Sequence, residues 1–465
     1  MYELHLDDFT DEFRETRAPV SAMLDKLNYL VDLGVNAILF MPWTTWQNRE
    51  FDWGYTPYQY FAAEYRYVND ELNPAEKLSA LKNLVSACHQ RGIHVVMDGV
   101  FNHVHPDFPY KYLYRNPDDC PFTGTFGGTF TGLQDLNFNN LCTQEFVRDA
   151  CMYWIQEFGI DGIRLDNTVN YHQAGDARGL PELLSDIDGG ANFSTTLEHL
   201  SMDAISIVNS TQATSYWDNA LYQSCFETLW SGQINSSVLN TLNNQRYLND
   251  PRKAPTMYLS NHDHSHVTWQ AGARNNRGAM EWYRTQPWAI ALFTAPGVPM
   301  LQSGQEFAED HWLPEDDSNT GRRVRPRPLR WRLADDSIGQ AMSRLYRRLA
   351  AVREQFPALR STNFYPDHWD EWQTRFNPAG FGVDTERQVV LFHRWGFSET
   401  GALQRFYVVL NFSPTAQWVR VPLPENGPWT DLLSNLDGSW SPTVTDHHLN
   451  VMVGSNWGHI LFRED

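Results

Sequence analysis

Cysteine is scarce: five in 465 residues (Cys88, Cys120, Cys142, Cys151 and Cys225), with no CxxC pair. An odd, scattered set does not make a disulfide scaffold or a zinc site and fits a reducing compartment. Cys120 and Cys142 are the one pair that could meet across a loop region. Long apolar runs are also missing. No stretch approaches the ~20 residues a membrane span requires. The opening segment, "MYELHLDDFTDEF", has neither a basic n-region nor an apolar h-region, so no signal peptide and a cytoplasmic location are expected. Positive charge is in deficit, 36 Lys and Arg against 56 Asp and Glu, for a net charge of −20. Nucleic acid and anionic membranes, which need clustered cations, are therefore not expected partners. The one dense basic stretch, "GRRVRPRPLRW" (321–331), reads as a loop bonded to its acidic neighbours at 315–317. No GxGxxG follows any apolar run, which argues against a doubly wound dinucleotide fold.

Aromatic residues, by contrast, are abundant: 18 Trp, 20 Tyr and 26 Phe. Most belong to a core by default. A surplus on loops would suit a sugar, with its apolar CH faces and hydroxyl rim. Short apolar runs alternate with amphipathic ones, the pattern of βα units. Eight strands are predicted, at 2–6, 36–42, 93–100, 161–166, 194–200, 213–219, 256–261 and 298–304. Helical periodicity marks 20–31, stopped by Gly34, then 78–88, ended by Gly92, and 143–158 with Phe146, Val147, Ala150 and Trp154 on one face. Further helices fit near 201–209, 233–246, 280–295 and 338–355. Eight such repeats predict a closed (β/α)8 barrel, over 1–103 and 143–360. Residues 104–142, rich in Pro, Gly, Asp and aromatics, read as a small subdomain inserted after the third strand. From 361 to 465 strands follow one another without helices, which predicts a C-terminal antiparallel β-sandwich.

In a barrel of this kind catalytic groups gather at the C-terminal ends of the strands. There the sequence places Asp98, Asn102 and His103, then Arg164 and Asp166, then Glu198 and His199, then Asn261, His262 and Asp263. Any one of these could be a helix cap or turn residue. Charged groups at the same end of four strands are harder to explain that way. Glycoside hydrolysis wants such a cluster. One carboxylate stays ionised to attack or stabilise the sugar cation, and another must carry a proton. An adjacent Arg164 would keep Asp166 ionised, while a third carboxylate favours a protonated Glu198. His103 and His262 can donate hydrogen bonds to sugar hydroxyls.

Taken together, "DGVFNH" (98–103), "GIRLD" (162–166) and "NHD" (261–263) resemble signature segments of the α-amylase superfamily, glycoside hydrolase family 13. "WGYTPYQYF" (53–61), "LQDLNFNN" (133–140) and "APGVPMLQSGQEF" (295–307) resemble others. The resemblance implies Asp166 as nucleophile, Glu198 as general acid/base and Asp263 as transition-state stabiliser, with carboxyl oxygens of the first two about 5 to 5.5 Å apart. It implies that Arg164 orients the nucleophile, that His103 and His262 contact the reacting sugar and that Tyr55 is its stacking platform. Asp98 matches a buried aspartate, and Asn102 an asparagine beside a structural calcium in many members. The expected ligand is an α-glucan, as oligosaccharide or polysaccharide, and no cofactor is required for the chemistry.

Two departures bear on these expectations. The residue before Glu198 is Leu197 where the family usually has Gly, and Glu227 in "CFETLW" is the competing carboxylate. Val169 and Asn170 stand where many amylases carry a Lys-His pair. The inserted subdomain offers only Asp107, Asp118, Asp119 and Asp135 as acidic oxygen ligands, so the usual calcium site, needing six to eight oxygens, is not expected and the metal ligands stay undefined. A transglycosylase or isomerase would use the same residues. A non-catalytic relative would be expected to have lost part of the carboxylate set.

Overall fold

The structure, a computed structural model, describes residues 1–47, 51–68, 74–129, 132–187, 189–273, 281–314, 323–434 and 440–465. All eight predicted barrel strands form, each shorter than its apolar run. They are β1 (Tyr2–Leu4), β2 (Ala37–Phe40), β3 (His94–Gly99), β4 (Gly162–Leu165), β5 (Ser194–Leu197), β6 (Ser215–Asp218), β7 (Ala254–Tyr258) and β8 (Val298–Gln302). They close into one barrel with the strands in chain order. The flanking residues of each predicted run leave the ladder, because chain leaving a strand must turn toward its helix. Leu6, read as strand, already begins a helix whose N-cap is His5.

The chain divides into two compact units, residues 1–217 with 314–329, and 218–313 with 330–465. In the first, β1 to β5 pair side by side in parallel. The helix Leu27–Leu33 ends on Gly34 in the left-handed conformation (φ 89°), which only glycine adopts cheaply. The helix Leu141–Phe158 buries Val147, Ala150, Cys151 and Trp154 and stops on Gly159 (φ 67°). Phe146 on this helix meets Tyr60, Phe108, Tyr110 and Phe122, at ring separations from 4.7 to 6.3 Å. Much of the aromatic surplus is thus spent anchoring the 104–142 segment. That segment is fixed at its base by a two-strand pair, His103–Val104 with Gln134–Asp135.

In the second unit β7 pairs with β8 in parallel. The helix after β6 is Ala220–Ser231, which the sequence reading missed; the expected 233–246 helix is only the short turns Val238–Thr241 and Asn244–Tyr247. The C-terminal region is a succession of strands, as predicted: β9 (Val389–Phe397), β10 (Leu403–Asn411), β11 (Gln417–Pro422), β12 (His448–Val453) and β13 (Trp457–Glu464). β9, β10 and β13 share one antiparallel sheet, and β11 pairs with β12 in a ribbon. Leu391, Tyr407, Val409 and Leu461 of the sheet share a core with Val419, Val421, Val451 and Val453 of the ribbon. Alternate residues of both layers face inward, the packing of a sandwich. Helix Gln286–Thr294 is buried along its length and joins this fold through Trp288 against Phe412, ring centroids 4.8 Å apart.

All five cysteines are free, so Cys120 and Cys142 do not pair. The expected acidic partners of the basic stretch, 315–317, lie outside the described residues, as do its first two residues, 321 and 322. Its described part finds other acids. Arg327 N donates to Asp8 Oδ1 at 2.8 Å, and Arg330 Nε donates to buried Glu309 at 2.9 Å. Among the described residues no helix is long and apolar enough to cross a membrane.

Candidate active site

Register explains why Arg164 and Asp166 share a face. Asp98 on β3 stands directly beside Arg164 on β4, and Arg164 beside Thr196 on β5. Side chains alternate along a strand, so Asp166 points to the same side as Arg164, one pleat nearer the rim. Backbone bonds carry the ladder that far: Asp166 N donates to Gly99 O at 3.0 Å, and Glu198 N to Leu165 O at 2.9 Å.

Arg164 is 1% exposed and is the hub. Its Nη1 donates to both oxygens of fully buried Asp98 at 2.7 and 2.8 Å, and to Asp166 Oδ1 at 2.8 Å. Its Nη2 lies 2.6 Å from Glu198 Oε2. The guanidinium carbon sits 4.1 Å from the ring centroid of Trp217, a buried residue of β6 that the sequence reading did not single out. A cation over an indole face keeps a favourable electrostatic contact where water is excluded. Burial by itself would lower the arginine pKa. The negative charges of Asp98, Glu198 and Asp166 outweigh it and hold the guanidinium well above its ordinary value.

Asp166 is 8% exposed, and Asn102 Nδ2 donates to its Oδ2 at 3.2 Å. Asn102 therefore positions the expected nucleophile directly. Glu198 is also 8% exposed, and Asn167 N donates to its Oε2 at 2.9 Å. Asn167 is left-handed (φ 40°, ψ 54°), a conformation that asparagine tolerates better than most residues and that turns its amide toward Glu198. The competing carboxylate, Glu227, is exposed in the middle of helix Ala220–Ser231. Geometry therefore favours Glu198 as Asp166's partner.

Tyr55 is half-buried, and its hydroxyl donates to Asp98 Oδ2 at 2.6 Å. Burial first, then the Asp98 charge, pushes its pKa well above the phenol value. His103 differs from expectation. It is 2% exposed and its Nε2 is 2.7 Å from Tyr55 O, so the hydrogen bond assigned to a sugar hydroxyl is made to the backbone that carries Tyr55. Burial lowers its pKa, so the neutral ring is favoured, donating from Nε2.

Asp263 belongs to the second unit and follows β7. Its amide is capped by Asn261 Oδ1 at 3.0 Å, its side chain is a third exposed, and buried His262 places Nε2 3.6 Å from its Oδ2. The loop is stitched to the chain after β8. Ser265 Oγ donates to Leu313 O and accepts from Leu313 N, at 3.1 and 2.8 Å, and His266 N donates to His311 O at 3.0 Å.

Among the described residues the candidate oxygen ligands named for calcium have other surroundings. Asn102 Oδ1 is buried without a protein donor, but its amide nitrogen is committed to Asp166. Asp107 accepts from Tyr112, Asp118 and Asp119 are exposed on a short helical turn, and Asp135 is buried in the strand beside His103. Among the described residues no three His, Cys, Asp or Glu side chains gather as a metal site would need.

Residues 6–117 match the family model for the α-amylase catalytic domain, and residues 382–458 match that for the α-amylase C-terminal all-beta domain. Both segments are thus similar to those of α-amylases. Among its relatives is a pullulanase of Bacillus subtilis (strain 168), 24% identical over 60% of this chain. A malto-oligosyltrehalose trehalohydrolase of Saccharolobus solfataricus is 32% identical over 36% of the chain. The matched regions span 44% and 27% of those two proteins, so the chain covers less than half of either. Among solved structures, an Anoxybacillus α-amylase superposes with TM-score 0.76 at 19% identity, over 99% of this chain and 96% of its own. A type I pullulanase of Bacillus subtilis complexed with maltose gives TM-score 0.78 at 18% identity, over 100% of this chain and 70% of its own. At these identities the superpositions establish the fold.

The tyrosine offers a graded test of the site. Tyr55→Phe keeps the ring and removes one hydrogen bond to a buried carboxylate, a loss of about 1.5 to 3 kcal/mol. Its melting temperature should fall by a few degrees, and kcat/KM on maltohexaose should drop less than about tenfold. Tyr55→Leu also loses the ring, and should fall about tenfold to a thousandfold if that ring is the expected sugar platform. Equal kinetics for the two variants would show that the ring contributes nothing to the reacting sugar.

Proposed function

We propose that this chain is a retaining α-glucan hydrolase that cleaves α-1,4-glucosidic bonds of maltooligosaccharides or starch-like polymers. The observation that carries the reading is the pairing of Asp166 and Glu198 on one buried guanidinium, at 2.8 and 2.6 Å, at the mouth ends of adjacent strands. Two carboxyl groups held by one guanidinium support double displacement, for which a separation of about 5 to 5.5 Å is expected. Asp166 Oδ attacks the anomeric carbon as the bond to the leaving oxygen breaks. Glu198 gives that oxygen its proton. The glycosyl ester on Asp166 is then opened by a water whose proton returns to Glu198. Arg164 and Asn102 hold Asp166 as an oriented anion before attack. Asp263, after β7, is assigned the stabilisation of the oxocarbenium-like transition state. The 104–142 segment and the β-domain from 361 complete the proposed division into domains.

Two activities compete with this one. A transglycosylase would pass the glycosyl group to a sugar hydroxyl instead of water. Pullulanases and an isoamylase stand among the relatives, which makes α-1,6 bonds the alternative linkage. Product chromatography separates all three. Maltohexaose should give shorter maltooligosaccharides, and pullulan should be cut slowly or not at all. Products longer than the substrate would point to transfer, faster cleavage of pullulan to the α-1,6 reading, and no product from either to a binding protein.

No metal enters this proposal. We expect EDTA to lower the melting temperature by no more than about 2 °C and to leave turnover within about twofold, the outcome when no bound metal contributes RT ln(1 + [L]/Kd) to stability. A drop of ten degrees restored by calcium would show a site built from other oxygens.

A further inference from the structure

The residues that hold the backbone of Glu198 form a chain with a limited number of protons. Thr168 N donates to Glu198 O at 2.9 Å. The Thr168 hydroxyl lies 3.0 Å from the same carbonyl and 2.9 Å from His199 Nδ1. His199 Nε2 lies 3.0 Å from Asp203 Oδ1. Thr168 is fully buried and the His199 side chain is 2% exposed, whereas Asp203 is 47% exposed. His172 packs edge-on to His199, ring centroids 5.7 Å apart.

The bonding follows from an inventory of donors. An ionised carboxylate only accepts, so His199 Nε2 carries a proton for Asp203. A neutral ring then has a bare Nδ1, and the single Thr168 hydroxyl proton is shared between it, at 2.9 Å, and the Glu198 carbonyl, at 3.0 Å. Thr168 is held in one rotamer by those two contacts. Its amide stays on the Glu198 carbonyl, and the neighbouring Asn167 amide stays on the Glu198 carboxylate at 2.9 Å. One short segment, 167–168, thus grips Glu198 at both its carbonyl and its carboxylate. The grip is referred through His199 to Asp203.

We infer that Thr168, His199 and Asp203 are positioning residues that fix the orientation of Glu198 for proton transfer. The inference rests on the proposed role of Glu198. A group that orients a proton donor should matter in proportion to how much the leaving group needs a proton. A sugar alkoxide needs one, and fluoride scarcely does. Loss of orientation should therefore be felt on maltotetraose and much less on α-maltosyl fluoride.

The test compares kcat/KM, which reports formation of the glycosyl ester and not its hydrolysis, for wild type and three variants on these two substrates. Thr168→Val keeps the shape and removes the hydroxyl. It should lose about tenfold to a hundredfold on maltotetraose and less than about threefold on the fluoride, a fraction of the 10²–10⁴ available to general acid catalysis. Thr168→Ser restores the hydroxyl and should stay within about threefold on both. Asp203→Ala changes the exposed end of the chain, where folding is safe, and should show the same split at about threefold to tenfold. Should Thr168→Val not fold, the split in Asp203→Ala decides. Equal losses on both substrates would mean a structural role only, and no loss on either would mean no role; both overturn the inference. A wild type inert to both substrates would instead overturn the assignment of Glu198 and the hydrolase reading beneath it.

Discussion

Asp166→Asn should reduce turnover of maltohexaose by several orders of magnitude while leaving the melting temperature within a few degrees of wild type. The amide keeps the shape and can still accept from Arg164 Nη1, which donates to Asp166 Oδ1 at 2.8 Å. What it lacks is the anion. An amide oxygen is a poor nucleophile, so the glycosyl ester does not form, and the loss falls on kcat rather than on KM. Fold and site should survive, because Asp98 and Glu198 still satisfy the guanidinium. A variant that keeps more than about a tenth of wild-type turnover would assign the attack to another residue. Mass spectrometry of wild type trapped with a slow fluoro-sugar should then find the label on that residue instead of on Asp166.

The second large effect is on stability. Arg164→Leu should destabilise the protein by about 3 to 5 kcal/mol, the cost of leaving buried charges without their partner. Asp98 is fully buried, and Arg164 ion-pairs with it, with Asp166 and with Glu198. Removing the cation leaves three carboxylates with less to offset their mutual repulsion. Soluble expression should fall sharply, and whatever folds should melt well below wild type and be inactive. Arg164→Lys keeps the charge but not the planar fork. An ammonium cannot span both Asp98 and Glu198, so this variant should fold better than the leucine variant and remain nearly inactive. Adding Asp98→Asn to Arg164→Leu should recover part of the lost stability, since one uncompensated charge is gone. Arg164→Leu melting like wild type would mean that the cluster is not what holds β3, β4 and β5 in register.

Most of the fold was legible in the sequence because its signals are local. The eight apolar runs, the glycines at 34 and 92 and the helical spacing of Leu27 and Leu30 each report on a few neighbouring residues. The C-terminal strands were equally plain, because alternation and the absence of helical spacing need no distant partner. The helix Ala220–Ser231 was missed because its apolar residues run into those of β6 and no proline or glycine separates them; Gly232 marks only its end. The clustering of Asp98, Arg164, Asp166 and Glu198 could also be anticipated, because each sits at or next to a strand end.

Partnership was another matter. That Asn102 serves Asp166, that His103 bonds the Tyr55 carbonyl, and that Thr168 and His199 hold Glu198 could not be read along the chain. Those bonds join residues 64, 48 and about 30 positions apart, and one on His103 excludes the one expected for it. A side chain has few donors, and which acceptor takes them is set by distances of a few tenths of an ångström. The sequence by itself determined most of the elements and which ionisable groups follow the strand ends, because period and charge are properties of neighbours. Only the tertiary structure decided how those groups share one arginine and which hydrogen bonds they keep, because that depends on the register of β3, β4 and β5.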